Sequence, residues 1–314
     1  MIRIPTVDLA EFLSEDPTSK KAFVQKLGKA YEEIGFVAVK NHGLSDELRD
    51  QLYDKVQRFF SLPEHIKKKY EIEDLAGQRG YTPFGKEHAK GFNTGDLKEF
   101  WQFGQWVDEP VDGELYPPNV EVFEVEGFNE TGKLVFKTLE KTGMQILRAI
   151  ALYLGLEEHY FDPYVTHGNS ILRAIHYPPI TAEPEDAVRA AQHEDINLIT
   201  LLMGASAAGL EVLNKKGEWI PVTALPEQII VNVGDMLQRL TNNVLKSTTH
   251  RVVNPPREQW HEPRYSIPFF LHPKSSMSLT CLPQCITEDR PKAYSDLTAG
   301  EYLEERLREI GLKK

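Results

Sequence analysis

Two rhythms of apolar residues divide the chain. In the first half they recur every three or four positions, and in the second they come in short runs cut by Gly, Pro and Asn. The first spacing is that of one helix face, and the second is that of strands bounded by turns. Helices are predicted over 18–35, which stops at Gly35, and over 45–60, which opens on Ser45 with acids behind it. A longer one over about 127–155 repeats Leu, Ile and Val at helical spacing and is expected to lie along the outside of a sheet. A last helix is predicted in LTAGEYLEERLREI. Between 171 and 282, strand candidates are ILRAIHY, NLITLLM, LEVLN, EWIPV, QIIVNVG, THRVV, YSIPFFLH and SLTCL, with NKKGEW a hairpin turning at Gly217. Eight strands suit a jelly roll, in which two facing sheets enclose a pocket open at one mouth. The expected fold is mainly β with flanking helices, built on a double-stranded β-helix (jelly roll) core. Residues 166–314 form that core with its C-terminal helix, and 1–165 pack on it and cover the site, as one compact unit.

Candidate chemistry lies in the strand-rich half. His193 and Asp195 stand two apart in AAQHEDINLITLL, so an extended strand would turn one nitrogen and one oxygen donor to the same side. His250 follows the first histidine by 57 residues, far enough for the chain to run through several strands and return. Two imidazoles and one carboxylate make the facial triad of non-haem Fe(II) oxygenases. Alone the pair is a weak signal in a chain with ten histidines. A second pair strengthens it: Arg264 and Ser266 in EPRYSIPFF, 14 and 16 residues after His250. A guanidinium fork matches a carboxylate, and the hydroxyl adds a third hydrogen bond. A metal with open positions beside such a clamp fits a 2-oxo dicarboxylic acid.

Longer stretches carry a family resemblance. IPTVDLAEF and GFVAVKNHGL, with the Asn41, His42 and Gly43 turn, stand near the start, and GQRGYTPFGKEHAKG and DLKEFWQFG in the middle. The densest part, 171–270, holds LRAIHYPP, QHEDINLITLL, GLEVLNKKGEWIPV, IIVNVGDMLQRLTNN, THRVV and RYSIPFF. Together these resemble the 2-oxoglutarate and Fe(II) dependent dioxygenases of the isopenicillin N synthase type, bacterial members in particular. The resemblance implies that His193, Asp195 and His250 bind Fe(II), and that Arg264 and Ser266, with the Tyr177 phenol, hold the distal carboxylate of 2-oxoglutarate. It implies a reaction with O2 that releases succinate and carbon dioxide and hydroxylates a small organic molecule. The turn between His250 and Arg264 carries PPREQWHEP and is longer than the family's usual one. Two relatives of the same fold, an oxidative cyclase of the isopenicillin N synthase kind and an ascorbate-using oxidase, share the triad and the Arg-x-Ser pair without using 2-oxoglutarate. A non-catalytic jelly roll that binds a metal or ligand is the alternative from another class.

Composition narrows the partners. The chain has 314 residues, a net charge of -11 and a pI near 5.5, so no basic surface is on offer to a phosphate backbone. No apolar run approaches a membrane span of about 20 residues and no signal-peptide pattern opens the chain, which predicts a cytoplasmic location. Cys281 and Cys285 are expected as buried, unpaired thiols. His176 should face away from Tyr177 and its partners, and Asn232 and Asp235 read as turn and strand-end residues. His42 reads as a turn residue and His261 as exposed. For the substrate, Arg79, Tyr81, Phe100, Trp101 and Phe103 with Phe270 could form an aromatic pocket with one cation for an acidic molecule.

Overall fold

Apolar runs of alternating side chains pair into two sheets in the computed structural model, which describes residues 4–309 apart from 73, 74, 76, 88–95, 108, 110, 112, 113, 115, 185, 186, 205–208 and 224. Among the described residues the strands are β1 (Thr6–Asp8), β2 (Phe36–Lys40), β3 (Gly80–Thr82), β4 (Glu99–Gly104), β5 (Ile171–Tyr177) and β6 (Ala190–His193). They continue as β7 (Ile199–Met203), β8 (Leu210–Leu213), β9 (Trp219–Pro221), β10 (Ile229–Val233), β11 (His250–Val252) and β12 (Arg264–Leu271). The larger sheet has the order β1-β2-β10-β7-β12-β5-β4-β3 and the smaller one β6-β11-β8-β9. The eight strands β5 to β12 make the double-stranded β-helix. Strands from before residue 166 extend the larger sheet at both edges, β2 beside β10 and β4 beside β5.

The helices follow from their caps. They are α1 (Leu9–Leu13), α2 (Pro17–Glu33), α3 (Asp46–Phe60), α4 (Glu64–Lys67), α5 (Phe128–Tyr153), α6 (Asp162–Val165), α7 (Asp235–Leu240) and α8 (Ala299–Glu309). Helix α2 starts where Asp16 accepts from the Thr18 and Ser19 amides ahead of Pro17. Helix α3 starts where Ser45 accepts from Leu48, with Asp46 and Glu47 in its positive first turn. Helix α5 buries Val135, Phe136, Leu139, Ile146, Leu147 and Ile150 against the outer face of the larger sheet.

Strand alternation decides which side each residue serves. On β5 and β12, Leu172, Ala174, Ile267, Phe269 and Leu271 point outward into the main core beneath the helices. Ile171, Arg173, Ile175, Tyr177, Arg264, Ser266, Pro268 and Phe270 point inward and line a cavity. A second apolar cluster, including Phe36, Ala38, Ile175 and Ile230 of the larger sheet and Ala190, Leu210, Val212 and Val252 of the smaller, closes the sandwich between the sheets.

One expected strand is absent, and another takes its place. SLTCL forms no strand; Ser278 makes a single bridge to Thr298, and Leu279, Cys281 and Leu282 are buried as irregular chain. Its apolar run reflects burial, with the Leu282 amide donating to the Leu240 carbonyl at the end of α7 (2.9 Å). The eighth core strand is β6, only four residues long. The hairpin from β8 to β9 turns as expected, with Gly217 at φ 77°. The inserted PPREQWHEP is ordered by a helical turn at Arg257–Gln259 and by the Ile180 amide donating to Trp260 O (2.8 Å).

The buried aromatic contact between α5 and β12 is a measure of this packing. Phe136 meets Phe269 edge-on at 5.0 Å and Trp106 at 5.3 Å. Phe136→Ala is expected to destabilise the fold by about 3–5 kcal/mol in urea unfolding, because the rigid sheet behind it cannot collapse into the space.

Candidate active site

Three donors come together where the two sheets meet, on the wall of the cavity. His193 closes β6, and His250 opens β11 directly opposite it. Asp195 does not share a strand with His193 as the sequence spacing suggested: β6 ends at His193, and Asp195 lies in the loop that leads to β7. That loop is pinned from the other sheet. The Asp235 amide donates to Asp195 O (2.7 Å), a contact that needs Gly234 just before it, since a Cβ there would stand 2.2 Å from Asn197 O. Asp195 Oδ2 accepts from Thr200 Oγ1 (2.6 Å) on β7 and from Asn232 Nδ2 (2.8 Å) on β10. The other oxygen, Oδ1, faces His250 Nε2 at 3.6 Å and His193 Nε2 at 3.9 Å.

Backbone carbonyls set the tautomers of the two imidazoles. His193 Nδ1 lies 2.7 Å from Ala191 O and His250 Nδ1 3.0 Å from Thr248 O. A carbonyl only accepts, so each proton sits on Nδ1 and each Nε2 lone pair is free. Burial, then the neighbouring His250, bring the His193 pKa down to about 4, which keeps that imidazole neutral. Burial opposes ionisation of Asp195, but the two histidines and the bonds from Asn232 and Thr200 override it, and its carboxyl lies below the usual range. One ligand atom from each residue fits within 4.8 Å of the others, a set of two neutral nitrogens and one anionic oxygen that could hold a ferrous ion.

Behind the triad the cavity continues, about 570 Å³ in volume, to Arg264, Ser266 and Tyr177. Arg264 and Tyr177 are cross-strand partners, the guanidinium carbon 5.0 Å from the ring centroid, and Ser266 faces Ile175 one step further. All three are buried.

Comparison with known proteins settles the family. Residues 4–122 match the family model described as non-haem dioxygenase in morphine synthesis N-terminal, and residues 168–273 match that of the 2OG-Fe(II) oxygenase superfamily. The proline hydroxylase buaE of Petromyces alliaceus is 34% identical over 98% of this chain and 99% of its own. The chain belongs to the 2-oxoglutarate/Fe(II) oxygenase superfamily. Two crystal structures agree closely with this oxygenase. A Caulobacter crescentus protein assigned to the 2OG-Fe(II) oxygenase family shares 43% identity at a TM-score of 0.86, covering 98% of this chain and 99% of that one. A full-length Neurospora crassa protein in complex with alpha-KG and thymine shares 32% at 0.85, covering 97% and 96%. The protein is therefore an oxidoreductase that uses Fe(II), 2-oxoglutarate and O2 to oxidise a small organic molecule. These relatives do not favour a cyclase or oxidase that dispenses with 2-oxoglutarate, or a non-catalytic binder. Among the described residues no helix of the oxygenase is long and apolar enough to cross a membrane.

The expected substrate pocket needs revision. Arg79 and Phe270 line the cavity, whereas Tyr81, Phe100, Trp101 and Phe103 do not. Tyr81 is buried with its hydroxyl on Glu99, Phe103 and Trp101 pack on Phe128 in the main core, and Phe100 belongs to the apolar cluster between the sheets. Aromatic residues two apart on β4 read as a pocket, yet its partners bury both faces of the strand. Arg79 donates to Pro117 O (3.1 Å) and Gln78 O (2.7 Å), so it braces backbone. The cation beside Phe270 is Arg173, 5.4 Å from the ring. It is held by Glu87 (3.1 Å) and Gln102 (3.3 Å), and Glu87 also meets Lys98 (2.8 Å). His272 continues the inward row of β12 and lines the same wall, its Nδ1 without a hydrogen bond among the described residues. Alternation from Tyr177 back to Arg173 and from Arg264 on to His272 is the signal that points to both. Residues 88–91 of the GQRGYTPFGKEHAKG stretch and the tail after Glu309 lie outside the described residues.

Other histidines and the cysteines fall as expected. His176 faces outward, bonded to Glu99 (2.7 Å) and stacked on Tyr265. The His42 ring accepts from the Leu44 amide in its turn (3.3 Å), and His261 keeps 76% of its side chain exposed. Cys281 and Cys285 are free and buried. Asn232, expected to serve a turn or strand end, instead lies in β10 and grips Asp195.

The ion cluster of the cavity wall has a pH signature. Burial works against the Glu87 charge, but Arg173 and Lys98 outweigh it and set its pKa at about 2, below the ordinary 4.5. Its stabilisation is present above that ordinary value and is lost as pH falls from there toward 2. Glu87→Gln is expected to cost about 3 kcal/mol at pH 7, by leaving two buried cations short of a counter-charge. The variant's loss of stability between about pH 5 and pH 2 should be shallower than that of the parent, as read from urea midpoints.

Proposed function

We propose that His193, Asp195 and His250 hold the ferrous ion, and that Arg264, Ser266 and Tyr177 hold the distal carboxylate of 2-oxoglutarate. The observation that carries this reading is one cavity joining the His-Asp-His cluster to the Arg264 and Ser266 pair. When bound, iron supplies dioxygen activation coupled to conversion of 2-oxoglutarate into succinate and carbon dioxide. The protein's own share is positional. Asn232 and Thr200 occupy Asp195 Oδ2 and so aim Oδ1 toward the histidines, while the Ala191 and Thr248 carbonyls fix the imidazole tautomers. Arg264 and Ser266 stand on one face of one strand, so a carboxylate held between them fixes the long axis of the 2-oxo acid. The apolar wall of Phe36, Leu202, Leu210 and Val252 keeps water from the chain between its two ends.

The substrate is a compact polar molecule that is hydroxylated where the cavity is lined by Arg173, Phe270 and His272. Two relatives support a substrate of this size: buaE is named a proline hydroxylase, and the Neurospora crassa protein is crystallised with thymine. Arg173 and Lys98 are already matched by Glu87 and Asp96, so this wall offers hydrogen bonds more than net charge.

Anaerobic metal titration and oxygen uptake test the assignment. Fe(II) and 2-oxoglutarate together should give succinate, faster with L-proline, thymine or another small polar molecule, and omission of either should stop it. His250→Ala should lose tight metal binding and all turnover; retention of the metal would remove His250 from the ligand set. Asn232→Leu should weaken metal binding by about tenfold while the fold persists, because Asp195 loses the bond that orients it.

A further inference from the structure

The cavity row of β12 ends on a histidine that the protein holds firmly by its backbone and leaves without a partner for its ring. His272 follows Phe270 in the series of alternate residues that lines the cavity. Its amide donates to Ser170 Oγ (3.2 Å), and that hydroxyl donates back to its carbonyl (3.4 Å). A Cβ on Gly168 would stand 2.2 Å from the same carbonyl oxygen, so this close approach needs glycine there. One residue earlier, the Leu271 carbonyl accepts from the Leu198 amide (3.1 Å), which ties this end of β12 to the loop that carries Asp195. None of these bonds reaches the ring. His272 is only 8% exposed, and its Nδ1 has no hydrogen bond among the described residues.

A polar atom taken out of water without a partner is rare, because it forfeits the bond that water gave it. Two polar neighbours on this wall are already engaged, Arg173 with Glu87 and Gln102, and Asn169 with Glu114 (3.1 Å) and Ser275 (2.8 Å). The His272 ring is not. Strand pairing fixes where it stands. Phe270 pairs with Thr200, whose hydroxyl holds Asp195 (2.6 Å), so the next inward residue of β12 flanks the triad on the side away from Arg264. Burial, opposed by the Asp195 charge and aided by Arg173, brings the His272 pKa down to about 4, and the ring is neutral at ordinary pH. A neutral imidazole offers one donor and one acceptor, which suit an amide or hydroxyl and lack the pull that a cation exerts on a carboxylate. Leu303 and Leu307, one turn apart on α8, line the same cavity and give it an apolar side.

We infer that His272 selects the substrate, by a hydrogen bond from its ring to an uncharged polar group of the amide kind that adjoins the carbon to be oxidised. This rests on the reading that places the substrate against Arg173, Phe270 and His272. The backbone bonds to Ser170 and the fit against Gly168 hold the imidazole in place before the substrate arrives, so little ordering is left to oppose binding. A substrate lacking such a group leaves the ring unsatisfied and is disfavoured for that reason.

The test is calorimetric binding to the enzyme loaded with Fe(II) and 2-oxoglutarate, without oxygen. Three probes share one ring size: thymine is uncharged and carries amide groups, toluene has no polar atom, and benzoate carries a negative charge. The parent should bind thymine more tightly than either of the others. His272→Leu should raise the Kd for thymine by about tenfold and leave that for toluene within about twofold. His272→Gln, which restores a hydrogen-bonding group, should stay within about threefold of the parent for thymine. His272→Phe replaces the Leu variant if urea unfolding shows the latter to be unstable, with the same expectation. If Gln behaves like Leu, ring shape rather than the hydrogen bond matters, and the inference fails. An equal loss for thymine and toluene, no loss for either, or a parent that prefers benzoate or does not bind thymine also overturns it. Titration of the parent with Fe(II) and then 2-oxoglutarate separates the two levels. If either fails to bind, the assignment of the site falls and this inference with it; if both bind and His272→Leu takes thymine as the parent does, only His272 is misassigned.

Discussion

The carboxylate of Asp195 ties the two sheets of this oxygenase together at the point where its chemistry is prepared. One oxygen is held by Thr200 and Asn232 from the larger sheet, and the other faces two imidazoles carried by the smaller sheet. An ionised group so enclosed persists only when its lone pairs are filled, so the site constrains the fold as much as the fold positions the site. Gly234, the Asp235 amide and the edge-on contact of Phe36 with His250 (5.6 Å) serve the same end. Each fixes an element of one sheet against the triad-bearing edge of the other.

Around that junction, the period of two along β5 and β12 builds the rest. Outward residues are apolar and anchor α5, while the inward row runs from Arg264 through Phe270 to His272. The same strand thus supplies stability on one side and recognition on the other, and a slip of one residue would exchange the two. Charge in the cavity is sorted by position. On the cavity wall, Arg173 and Lys98 are matched by Glu87 and Asp96, whereas Arg264 lies buried against the Tyr177 ring of the neighbouring strand.

Much of this is legible from residue order. Helices α2, α3 and α5 fall within two residues of their expected bounds, since caps and long apolar periods are local signals. The inward pairing of Arg264 with Ser266 follows from spacing alone on a strand eight residues long. Short elements are less legible: SLTCL has the composition of a strand but is buried under α7, and four-residue β6 lacks the length to announce itself. His193 and Asp195 do converge, but through a loop that leaves the strand after the histidine.

What the sequence by itself determines is the set of chemical parts: the donors His193, Asp195 and His250, the Arg264 and Ser266 pair, and the periodicity that makes a β sandwich with helices on one side. Tertiary structure alone decides which of the other polar residues join them. Asn232, Arg173 and His272 come from three separate segments and carry no spacing signature relative to the triad, and Tyr81 and Phe103 look eligible until the core buries them. The physical reason is that a strand's period tells which residues share a face. Only the packing of sheet on sheet and helix on sheet determines whether that face meets a cavity, a core or another charge.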